Sequence, residues 1–190
     1  MVGSIRRTYL FLAVACLLVF GCNQPPGEKA QSEPVGSPES ALGTLFIVGG
    51  GARTPQLMAD LKAEADPEAN NIAILTLASS EPDTSFWYLK KDMISAGFVE
   101  PWHFEPHSSD EGNQLELLSA ADIIFLGGGD QRRFMKLSDS LGVGKAIEKA
   151  YRNGALIAGT SAGAAVMSAE MISGDQKLEP EYESTYSRVA

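Results

Sequence analysis

Apolar residues along this chain fall into short unbroken runs separated by longer stretches where they recur every three or four positions. The runs lie at residues 45–48 (LFIV), 72–77 (apolar but for Thr76), 122–126 (apolar after Asp122) and 155–158, with a weaker one at 98–104. None alternates apolar with polar, so each is expected to be a strand covered on both faces, as in a parallel sheet between helices. The stretches between them carry helical spacing. Leu57, Leu61 and Ala65 form one stripe within 55–65, and Phe86, Leu89, Met93 and Ile94 form another, with Lys90, Lys91 and Asp92 on other faces. Residues 111–121, 133–140, 143–152 and 164–171 also suit helices. Strand and helix alternating in this way predict an α/β fold with a doubly wound, mostly parallel sheet. In such sheets sites gather at the strands' C-terminal edge. Three glycine-rich turns, at 49–51, 127–129 and 159–163, follow directly on strands and are expected to converge there.

The first 42 residues do not share this pattern. Arg6 and Arg7 precede twelve uncharged residues at 9–20, too short to span a bilayer and shaped like a signal h-region. The segment ends Val19-Phe20-Gly21-Cys22, which resembles a bacterial lipobox, with Phe20 bulkier than the usual residue there. Residues 1–21 are read as a lipoprotein signal peptide, and Cys22 as the lipidated residue that anchors the chain without spanning the membrane. The chain is therefore expected to be exported and lipid-anchored to a bacterial membrane, on the periplasmic or cell-surface side. Residues 22–42 hold four prolines and no aromatic residue, the composition of a flexible linker. The folded domain is expected over 43–190.

Composition narrows the partners. The chain has 15 Lys and Arg against 24 Asp and Glu, a formal charge of −9, which argues against nucleic acid. Its two cysteines, Cys16 and Cys22, cannot form a disulfide framework.

The most informative motif is Gly159-Thr160-Ser161-Ala162-Gly163, a G-x-S-x-G string between a strand and a helix. In a nucleophile elbow the serine takes a strained turn that lifts its hydroxyl off the sheet, and the following N–H, here of Ala162, can hold an oxyanion. Read without chemistry, the string is a tight turn with an inert serine. In the turn at 127–131 (GGGDQ), the glycines allow a substrate or second oxyanion donor to approach. Asp130 can cap the next helix and Gln131 can offer an amide to substrate; alternatively the turn is only capped. The turn at 49–53 (GGGAR) lacks the last glycine of G-x-G-x-x-G and the P-loop Lys-Ser/Thr, so nucleotide binding is not expected. His103 and His107 stand four apart, but a strand and Pro106 separate them, which disfavours a shared metal.

Together, GTLFIVGGGAR at 43–53, the GGGDQ turn at 127–131 and ALIAGTSAGAAVMS at 155–168 resemble the cyanophycinase-like serine peptidases, a group that includes aspartyl dipeptidases. The similarity covers about residues 43–175. It implies a flavodoxin-like sheet related to class I glutamine amidotransferases and a Ser-His-acid triad. The implied substrates are aspartyl-linked peptides, cyanophycin among them, with no cofactor and no metal. Carried over by motif, Ser161 is the nucleophile, Gly129 and Ala162 the oxyanion N–H donors, and Gln131, beside Asp130, a substrate contact. The triad acid is expected after Ser161, where Asp175, Glu179, Glu181 and Glu183 are candidates and Glu179 is preferred. The family's catalytic histidine lies downstream of its serine, yet no histidine follows Ser161 here. Three readings stand open. The sequence is incomplete at its C-terminus; it is a natural short form without catalysis; or His107 supplies a relocated base. The alternative to an enzyme is a membrane-anchored lipoprotein that binds a small ligand in the same cleft.

Overall fold

The computed structural model describes residues 43–172 and the backbone of residues 186–188. The expected leader, linker and Cys22 lie outside these residues, as do Asp175, Glu179, Glu181 and Glu183. Five parallel strands form one sheet: β1 (Thr44–Val48), β2 (Ile72–Leu75), β3 (Trp102–His103), β4 (Ile123–Leu126) and β5 (Leu156–Thr160). Their order across the sheet is β1-β5-β4-β2-β3. The helices between them are α1 (Pro55–Glu64), α2 (Pro82–Ser95), α3 (Glu111–Ser119), α4 (Gln131–Leu141) and α5 (Val143–Arg152). The doubly wound α/β fold read from the sequence is the fold observed.

The unbroken apolar runs explain the layering. Strand residues point alternately to opposite faces, so a strand apolar at every position feeds two cores. Ile123 and Phe125 pack with Met58 and Leu61 of α1 and Leu89 and Met93 of α2. Ile124 and Leu126 point the other way, into a core with Leu118 of α3, Phe134 of α4, and Val143 and Ala150 of α5. β2, β4 and β5 are buried throughout.

β1 departs from the expectation of two-sided cover. It is an edge strand, and Leu45 and Ile47 are 43% and 63% exposed. Leu45 faces a groove of about 340 Å3 whose other walls include Met135, Ile147 and Tyr151. β3 is much shorter than the apolar run at 98–104. Pro101 has no N–H to give a ladder, so pairing with β2 starts only at Trp102. Asn71 compensates at the base of the sheet: its side-chain amide donates to the carbonyls of Leu117 and Ala120 and accepts from Trp102 Nε1 at 2.8 Å.

The helix expected over 164–171 is also corrected. α6 spans only Ala162–Ala165, and β6 (Glu170–Ile172) follows. Ser168 explains the stop, because its Oγ donates back to the Ala165 carbonyl at 2.7 Å and competes with the next helical turn. β6 pairs antiparallel with β7 (Tyr186–Arg188).

Candidate active site

β5 lies between β1 and β4, with Val48 opposite Thr160 on one side and Leu126 opposite Gly159 on the other. All three strands run the same way, so the turns that follow them meet at one edge. Ser161 sits at the centre of that edge.

Its backbone takes φ 54° and ψ −114°, a conformation that residues with a Cβ adopt only under constraint. The constraint is visible. The Ser161 N–H donates to the Val48 carbonyl at 3.0 Å, and the Ser161 carbonyl accepts from Ala164 and Ala165 N–H, each at 3.0 Å. The flanking glycines are required by close packing. A Cβ on Gly159 would stand 2.4 Å from the Gly163 carbonyl oxygen, and one on Gly163 would stand 2.1 Å from that of Leu126. Ser161 is exposed, and its hydroxyl has no hydrogen-bond partner among the described residues. The geometry is that of a nucleophile elbow on a parallel α/β sheet.

A cleft of about 370 Å3 opens over Ser161. Gly50, Gly51 and Arg53 wall it from the β1 turn, Gly128 from the β4 turn, and Ser85, Tyr88 and Leu89 from α2. Both turns pass close to the serine: a Cβ on Gly128 would lie 3.4 Å from Ser161 Cβ, and one on Gly50 3.9 Å from it, both ordinary contact distances. Gly129 has φ 141°, and a Cβ there would overlap the Ala78 carbonyl at 2.1 Å, so only glycine fits. Neither Gly129 nor Ala162 is among the residues walling the cleft; Gly129 follows Gly128 in the turn, and Ala162 is buried directly after Ser161.

Asp130 and Gln131 are occupied elsewhere. Asp130 caps α4 by accepting the Arg132 N–H at 2.8 Å, and the hydrogen bond from the Arg132 side chain holds its carboxyl below the usual range. Gln131 donates from Nε2 to the Ile172 carbonyl at 2.8 Å, tying β6 to α4.

Neither histidine lines the cleft. β3 is three strands from β5, roughly 14 Å at normal strand spacing. There His103 Nε2 lies 2.7 Å from Thr76 Oγ1, and its ring stacks on Phe86 with centroids 4.4 Å apart. Burial pushes its pKa down, opposed by the carboxylates of Glu105 and Asp83. His107 is exposed at φ 63°, and its N–H donates to Glu111 at 2.8 Å. No three metal-ligating side chains converge among the described residues.

The sequence reading missed Arg53, Ser85 and Tyr88 as cleft residues. Arg53 stands in the 49–53 turn, whose glycine spacing bears only on phosphate binding. Ser85 and Tyr88 gave no signal, because the polar side of an amphipathic helix does not announce which surface it overhangs.

Fold and site together define a doubly wound, parallel α/β protein with a strained serine turn at the C-terminal edge of its sheet. The model of peptidase family S51 matches residues 45–187, and the chain belongs to that family. It is 30% identical over 159 residues to cyanophycinases of Nostoc sp. and Trichormus variabilis, covering 80% of this chain and 53% of each of those proteins. The chain thus spans about half the length of the curated relatives it matches. Among solved structures, a peptidase from an acI-B1 Actinobacterium superposes with a TM-score of 0.53 at 24% identity, covering 69% of this chain and 59% of that one. A peptidase E-like protein of Listeria monocytogenes EGD-e gives 0.56 at 21% identity, covering 69% and 64%. These two likenesses show the fold.

Proposed function

We propose that this protein is a serine-type peptidase that hydrolyses aspartyl-linked peptides, cyanophycin among the candidates, by acyl transfer through Ser161. The observation that carries the reading is Ser161 itself: an exposed, unpartnered hydroxyl on a strained backbone, at the floor of a cleft walled by glycine turns. Ser161 Oγ attacks the amide carbonyl carbon and passes its proton to a general base. The carbonyl oxygen becomes an oxyanion held by the N–H groups of Ala162 and Gly129, a contribution worth roughly 100- to 1000-fold in rate per donor. The C–N bond then breaks, the amine leaves with the base's proton, and water releases the acid from the serine ester. Glu179 is retained as the triad acid.

No described histidine lines the cleft, so we place the general base outside the described residues. The same observation favours a second reading, a non-catalytic protein that binds a small ligand over Ser161. Cleavage separates them. Incubation of the purified protein with an aspartyl-linked peptide should release amine, and Ser161→Ala should lower the rate by about 10,000-fold or more. Equal rates in both proteins would remove Ser161 from the mechanism.

The lipid anchor at Cys22 belongs to the same proposal, with the domain held on the outer side of a bacterial membrane by its linker. Cys22→Ser should move the protein from the membrane fraction to the soluble fraction. An unchanged distribution would contradict the anchor.

A further inference from the structure

The cleft over Ser161 has one charged wall residue among those described, and it is held in an unusual way. Arg53 stands two residues after Gly51, whose φ is 88°, and precedes Thr54, which caps α1 by accepting the Leu57 N–H. Its side chain is 22% exposed, and its Nε donates to Asp92 Oδ2 of α2 at 2.8 Å. Its two terminal nitrogens have no hydrogen-bond partner among the described residues.

A guanidinium offers a planar fork of five donors and can meet a carboxylate bidentately along more than one edge. Asp92 occupies Nε, so the end-on edge formed by the two terminal nitrogens is left for a ligand. The contact with Asp92 also limits the side chain's rotamers before any ligand arrives, which lowers the ordering cost of binding. A chain of charge −9 would otherwise disfavour an anion, so a local and oriented cation is what an acidic ligand requires.

We propose that Arg53, oriented by Asp92, is the carboxylate anchor of the Ser161 cleft and selects peptides that carry an acid group beside the amide presented to Ser161. The inference rests on the proposed peptidase reading for what the cleft holds, but it concerns recognition and is tested by binding. N-acetyl-Ala-Asp-Ala-amide carries one carboxylate, and its Asn isostere carries none. Calorimetry with the full chain should show the aspartyl peptide binding about tenfold more tightly, a difference of ~1.4 kcal/mol. The preference should fall to within twofold in Arg53→Gln and survive in Ser161→Ala.

Arg53→Gln alone leaves the Asp92 carboxylate, which does not itself line the cleft, without its cation, and that unbalanced charge would repel an acid. The double variant Arg53→Gln/Asp92→Asn removes both charges and keeps the local net charge of the wild type. Loss of preference there too identifies the fork as the cause, and a preference that persists overturns the proposal in favour of the general field. Arg53→Lys, which keeps charge without the fork, should lose most of the preference and serves if the glutamine variants do not fold. Equal binding of the two peptides to the wild type, or binding of neither, also overturns it. The serine reading fails separately, if the wild type shows no covalent reaction at Ser161.

Discussion

At Ser161 the backbone and the chemistry make opposing demands. A Cβ-bearing residue at φ 54° and ψ −114° costs about 1–3 kcal/mol, which the surrounding packing has to offset. Glycine escapes that cost but gains freedom in the unfolded chain. Ser161→Gly should therefore be more stable than Ser161→Ala by about 1 kcal/mol in urea denaturation. Equal midpoints would mean that the elbow is relaxed and its strain is not maintained by the fold. The spacing of the G-x-S-x-G motif was legible because each glycine answers a steric need that any such turn imposes. Arg53 was not legible in that way. Its partner Asp92 lies 39 residues along the chain, and no local pattern links the two.

Strands and most helices could be read from periodicity, since a run apolar at every position can satisfy only a two-sided core. The failures came where hydrogen bonding overrode the pattern: Pro101 cut β3 short, and Ser168 ended α6 before the apolar stretch was spent. β3 also explains what became of the histidines. His103 serves the sheet edge, bonded to Thr76 and stacked on Phe86, with burial depressing its pKa from the usual 6.5. A depressed folded pKa means that the unfolded chain binds the proton more readily, so this contribution to stability is present above pH 6.5 and is lost as pH falls through the folded value. His103→Gln keeps a side chain able to bond Thr76 but cannot titrate. Its unfolding midpoint should fall less steeply than the wild type's as pH drops from 7.5 towards 5. Parallel curves would show that His103 titrates normally.

Across the whole molecule, the convergence of three glycine turns follows from one fact of topology: β5 lies between β1 and β4, all pointing the same way. The sequence supplied the turns, whereas the strand order that brings them together emerged only in three dimensions. The same order puts β3 and both histidines at the far side of the sheet from Ser161, which makes nucleophilic competence the central claim at issue. Treatment of the protein with a fluorophosphonate probe, followed by peptide mass mapping, reads that claim directly. One adduct on Ser161, absent from Ser161→Ala and from heat-unfolded protein, is the predicted result. A folded protein with no adduct, or with its adduct on another residue, would contradict it.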